Sequence, residues 1–174
     1  QLRKILAYSS VAHLGWMLLV IQFSPPLTLL ALMTYILMTS AAFLTLKLNS
    51  ATTINTLATA WAKTPLLTTL LPLTLLSLGG LPPLTGFMPK WLILQELTKQ
   101  DLPLTATLAA LTGLLSLYFY LRLSYAATLT ISPNNLASTA PWRLPSNQLT
   151  VPVSIATMLS TLLLPLTPTL ATLL

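Results

Sequence analysis

Two side chains in this 174-residue sequence are of a type that can exchange protons and stand where a charge is costly: His13 and Lys90. Lys90 follows Gly86-Phe-Met-Pro, deep inside a long apolar stretch. A lysine carried in the first turn of a helix at that depth can pass protons to water or to another side chain. The alternative is an anchor that snorkels toward the interface. Nine residues separate it from the polar end at Lys99, about 13 Å of helical rise, which a lysine stem only partly spans. His13 lies one turn after Ser9 and Ser10, a spacing that puts all three on one helix face as a polar stripe. A histidine there is either a proton shuttle or an interhelical hydrogen-bonding group.

Other chemistries are excluded by what the sequence lacks. It has no cysteine, so no iron–sulfur cluster and no disulfide scaffold. A single histidine cannot supply a structural zinc site or a bis-histidine haem. The five glycines form neither G-x-G-x-x-G nor a P-loop, so no nucleotide site is legible. The net charge of +6 comes from cations scattered singly apart from Arg3–Lys4, which is no nucleic-acid footprint.

The elements that must position these residues are built for lipid. Apolar residues make up 55% and charged ones 6%, where a soluble domain carries about 25% charged. Leu (48) and Thr (26) dominate, and a threonine hydroxyl can be satisfied by its own helix. The sequence predicts an all-α membrane protein, one multi-pass domain over 1–174, with five spans at about 20 residues each. They fall at about 5–23, 27–46, 65–97, 103–122 and 151–174. Asp101 is expected to cap the fourth, and Pro165 and Pro168 roughen the fifth. Tyr118, Tyr120 and Arg122 read as an aromatic belt with a positive stop.

Between the second and third spans, Ile54, Leu57, Ala58 and Trp61 share one helical face, which predicts an interfacial helix lying on the membrane. Lys47 and Lys63 flank it as interface anchors. Residues 132–148, with three prolines and Asn134–Asn135, predict an irregular loop.

The third span is too long to be one helix. Pro65 to Leu97 would measure about 50 Å. Leu78-Gly-Gly-Leu-Pro-Pro-Leu-Thr-Gly86 supplies a break: Gly79 suits a helix end, and Pro82–Pro83 cannot continue one. The expectation is a discontinuous helix, broken over 79–86, with unpaired backbone groups inside the membrane. Such backbone persists there only where protein buries it or water lines it. If this span crosses once, Arg3, Lys4, Lys47, Lys63, Arg122 and Arg143 all fall on one side, the side of synthesis. The C-terminus then lies opposite.

Two segments carry a resemblance. Gln1-Leu-Arg-Lys-Ile-Leu-Ala-Tyr-Ser-Ser-Val-Ala-His-Leu-Gly15 resembles a stretch shared by antiporter-like subunits of respiratory complex I and multi-subunit cation/proton antiporters. Leu75-Leu-Ser-Leu-Gly-Gly-Leu-Pro-Pro-Leu-Thr-Gly-Phe-Met-Pro-Lys-Trp91 is more specifically similar to a mitochondrially encoded complex I member of that family in vertebrates. The likeness runs more loosely along the whole chain.

The resemblance implies a core membrane-arm subunit of NADH–ubiquinone oxidoreductase in the mitochondrial inner membrane. It implies proton translocation coupled to electron transfer, with no cofactor in this chain. NADH, FMN, iron–sulfur clusters and ubiquinone would belong to other subunits. The partners implied are other membrane-arm subunits, the bilayer and an N-terminal half of the same chain, of which this would be the C-terminal part. Lys90 matches the family's lysine on a broken helix, at the outward end of a lysine relay. His13 matches a histidine of the hydrophilic axis along the membrane midplane. An antiporter subunit and a structural scaffold are the competing readings.

Overall fold

The computed structural model describes residues 1–60, 65–129, 150–166 and 169. The regular elements among the described residues are all helices, without strands: α1 (Leu2–Val20), α2 (Pro25–Leu48), α3 (Ile54–Ala60), α4 (Pro65–Gly79), α5 (Phe87–Lys99), α6 (Pro103–Leu129) and α7 (Thr150–Leu162), then a 3₁₀ turn at Leu164–Leu166. Two of them, α2 and α6, are long and apolar enough to cross a membrane. Pro25 and Pro103 each open a helix, where a missing N–H costs nothing. Threonines and serines are absorbed as their abundance demands. Buried Thr34, Thr45, Thr74 and Ser77 each donate to a carbonyl one turn back in their own helix.

The helices pack around two apolar clusters at opposite ends of a bundle. One joins Leu2 and Leu6 of α1, Leu46 of α2, Leu57 of α3, Leu71 of α4 and Leu123 of α6. The other joins Met17 and Val20 of α1, Ala31 of α2, Ile93 and Leu97 of α5, and Ala106 of α6. Helices α4 and α5 therefore run in sequence from the first end to the second, sharing one traverse of the bundle. The start of α1 is tied to the chain after α2, where Leu2 N–H donates to the Thr52 carbonyl at 3.1 Å. Arg3, Lys4 and Lys47 accordingly gather at the first end, and Glu96, Lys99 and Asp101 at the second.

Several expectations need correction. Asp101 does not cap α6. It lies in the left-handed region (φ 55) just past α5, its N–H bonded to the Thr98 carbonyl and that of Leu102 to Leu97. That is a Schellman closure, and it leaves the first α6 bond to the Leu102 carbonyl. Helix α3 meets the bundle end with its apolar side: Leu57 is 2% exposed and Ile54 packs on the first cluster. Trp61 and Lys63, like the 132–148 loop and Arg143, lie outside the described residues.

Helix α6, the fourth span, continues past 122 to Leu129, and its tyrosines do not form one belt. Tyr118 is 65% exposed while Tyr120 is 5% exposed, because positions two apart point to different sides of a helix. Helix α7 ends at Leu162; residues 167, 168 and 170–174 of the fifth span lie outside the described residues. Pro165 would clash with the preceding turn, and the chain turns into a 3₁₀ segment instead.

Candidate functional site

The site is made by the way α4 ends. A helix leaves its last four carbonyls without helical partners. Gly80 takes the left-handed conformation (φ 84), and its N–H and that of Leu81 turn back onto the Ser77 and Leu76 carbonyls. Pro82–Pro83 prevents any return to helix, and Gly86 opens α5. Pro89, third residue of α5, again sits where no N–H is needed. That leaves the carbonyls of Leu78 and Gly79.

One of the two residues singled out by sequence bonds to the Gly79 carbonyl, and the other lies beside that of Leu78. Lys90 reaches back across the break, its Nζ donating to the Gly79 carbonyl at 2.8 Å. The His13 ring of α1 faces the Leu78 carbonyl within hydrogen-bonding reach, and interacts electrostatically with Lys90. Both side chains are half-buried. The structure thus brings His13 and Lys90 to adjacent carbonyls of one helix end. The serine stripe is less than it promised: Ser9 and Ser10 spend their protons on the Leu6 and Ala7 carbonyls, each at 2.6 Å.

Other residues join that sequence reasoning passed over. Tyr35 of α2 stacks on His13 with ring centroids 4.7 Å apart. The Tyr120 hydroxyl of α6 lies near Ser9 and Tyr35. Trp16, one turn beyond His13, places its ring 5.9 Å from the Lys90 Nζ. A cavity of about 10 Å³, at the lower limit for one water, lies among His13, Trp16, Thr34 and Lys90. A lysine ammonium, an imidazole and a hydroxyl-bearing flank therefore meet at broken backbone. The i+3 spacing from His13 was the available signal for Trp16; nothing local marks Tyr35.

Among the described residues, no three His, Cys, Asp or Glu side chains converge to hold a metal ion. The chemistry open to this arrangement is proton exchange and hydrogen bonding.

Comparison with known proteins gives the family. Residues 1–116 match the family described as NADH:quinone oxidoreductase/Mrp antiporter, TM. The chain belongs to that antiporter-like membrane family. Residues 117–171 match NADH dehydrogenase subunit 2 C-terminus. NADH-ubiquinone oxidoreductase chain 2 of Tetraodon nigroviridis is 72% identical over 173 residues, which cover 99% of this chain and 50% of that protein. The chain 2 protein of Salmo salar is 71% identical over 174 residues, 100% of this chain and 50% of the relative. The chain thus spans about half the length of these relatives. In this antiporter-like member, the first family match covers the helix break and both His13 and Lys90.

Proposed function

We propose that this chain contributes part of a proton path in the membrane arm of NADH–ubiquinone oxidoreductase, as the C-terminal part of an antiporter-like subunit. Lys90 and His13 are its proton carriers. The observation that carries this reading is the lysine ammonium seated on the Gly79 carbonyl at a helix break, within electrostatic reach of a histidine. Broken helices that aim backbone groups and ionisable side chains inward recur in ion-handling membrane proteins. The names of the relatives favour the redox-driven complex over a stand-alone cation/proton antiporter.

These residues include no cysteine with which to ligate an iron–sulfur cluster, and the reading assigns NADH, FMN, the clusters and ubiquinone to other subunits. Its partners are those membrane-arm subunits, the remaining half of its own chain and the bilayer of the mitochondrial inner membrane. It makes five crossings, with α4 and α5 counted as one and the 80–86 break within the membrane. Helix α6, about 40 Å long, brings Arg122 to the end that also carries Arg3, Lys4 and Lys47, the matrix side by the positive-inside rule.

Lys90→Met and Lys90→Arg in the full-length subunit test this. Methionine removes the proton and the donor to Gly79; arginine keeps charge and donors but holds its proton. Coupled NADH–quinone activity and proton uptake, measured per intact complex, should fall at least about tenfold in both. Normal pumping in both would reduce Lys90 to a structural group.

A further inference from the structure

We propose that Trp16 is a positioning residue for Lys90: Gly113 of α6 seats the indole, and the indole face holds the ammonium on the Gly79 carbonyl. The inference rests on the proton-path reading for its functional arm and on geometry alone for its structural one.

Lys90 has two polar attachments of different strength. The Gly79 carbonyl is a single acceptor for a group with three donors, so it fixes one N–H and leaves the head free to swing. The second attachment is the Trp16 ring, whose centroid lies 5.9 Å from Nζ, inside the range where an ammonium is attracted to an aromatic face. Tryptophan is the strongest of the aromatic partners, and the attraction grows where water is excluded. The Lys90 head is also enclosed on the side of the break. A methyl group on Gly80 would lie 3.0 Å from Nζ and 3.1 Å from Cδ. The Gly80 backbone and the indole both crowd the ammonium and narrow the positions open to it.

The indole is itself held from behind. A methyl group on Gly113 would lie 3.2 Å from Trp16 Cζ2, so the ring edge occupies the space that the missing side chain frees on α6. Trp16 also stands three residues after His13, so α1 presents both to the break from one face. His13 is the titratable group of a neighbouring element that interacts with Lys90, and its own ring lies against Tyr35 and near the Leu78 carbonyl. Three helices thus fix one ammonium: α4 by its carbonyl, α1 by its indole, and α6 by the glycine that admits the indole.

The test uses the full-length subunit in the assembled complex, carrying Trp16→Leu, Trp16→Phe or Gly113→Ala. Leucine removes the aromatic face; phenylalanine keeps one. Structures of the variant complexes should show the Lys90 Nζ off the Gly79 carbonyl in Trp16→Leu and still on it in Trp16→Phe. Coupled turnover should fall about tenfold in Trp16→Leu, with its pH profile displaced by up to about one unit, and phenylalanine should restore most of both. A merely structural tryptophan would lower activity equally at every pH. Either that uniform loss or an ammonium still seated on Gly79 in Trp16→Leu overturns the proposal. Should Trp16→Leu not assemble, Gly113→Ala makes the same test by pushing the ring without changing it, with a smaller displacement expected. Normal pumping in Lys90→Met would refute the proton-path reading, and the Nζ–carbonyl distance would still decide the role of Trp16.

Discussion

Gly86 lies directly against the Ser77 carbonyl: a methyl group at Gly86 would stand 1.8 Å from that oxygen. The residue that opens α5 is therefore pressed onto the last turn of α4. This contact folds the break back on itself, so the two half-helices stay close enough for Lys90 to reach Gly79. No rotamer change relieves it, because both partners are backbone.

Gly86→Ala should consequently be among the most damaging single-methyl changes in the chain. Overpacking a tight core typically costs about 1–3 kcal/mol, and a backbone clash belongs at or above the upper end. The expected outcome is a sharp loss of assembled complex, read by native gel electrophoresis. Gly15→Ala is the control, since nothing lies within 4 Å of the added carbon. Wild-type levels of assembly in Gly86→Ala would mean that the break is looser than this contact requires.

Thr85→Val tests how the break is tied to the rest of the bundle. The Thr85 hydroxyl donates to the Ser160 carbonyl of α7, 75 residues further along the chain, and both residues are buried. Valine keeps the shape and deletes the donor, so the loss should be about 1–3 kcal/mol for a buried carbonyl left without that partner. Thermal inactivation of the complex should begin at lower temperature in Thr85→Val and stay near wild type in Thr85→Ser. Equal stability of all three proteins would count against this tie.

The parts of this site that were legible in the sequence are those fixed by backbone chemistry. Gly79–Gly80 followed by Pro82–Pro83 leaves a helix no way to continue, whatever surrounds it. Lys90 and His13 stood out because ionisable groups are scarce in apolar runs. What stayed hidden depends on packing between distant elements. Asp101 resembles a cap for α6, but the chain needs a left-handed residue to close α5, and that competing demand wins. Tyr120 looks like its neighbours Tyr118 and Tyr125, both exposed, until α6 is docked and turns it inward. Only the fold reveals that the serines beside His13 are bonded to their own helix.

On the proposed reading, the charge distribution sets the side on which the C-terminus is expected. Arg3, Lys4, Lys47 and Arg122 mark one end, while Glu96, Lys99 and Asp101 mark the other, where Lys99 pairs with Glu96 at 3.8 Å. With five crossings, a tag added at the C-terminus should be protected from protease in inverted inner-membrane vesicles, whose matrix face is outward. It should be cleaved in mitoplasts. The reverse pattern would show that one crossing has been miscounted.

His13 offers the sharpest separation of a proton carrier from a structural bond. Its ring does two things at once: it faces the Leu78 carbonyl and stacks on Tyr35. His13→Gln keeps a hydrogen-bond donor for the carbonyl but cannot titrate. His13→Phe keeps the stacked ring but offers no donor. If His13 only holds α1 to the end of α4, glutamine should sustain coupled turnover while phenylalanine leaves a buried carbonyl unpaired and lowers stability by about 1–3 kcal/mol. If His13 passes protons, glutamine should fail in pumping even though the complex assembles in full. The second pattern is the expected one, with proton uptake reduced at least about tenfold in His13→Gln. Measuring proton uptake and complex level on the same membranes keeps the two effects apart. Full pumping in His13→Gln would leave Lys90 as the sole proton carrier of this site.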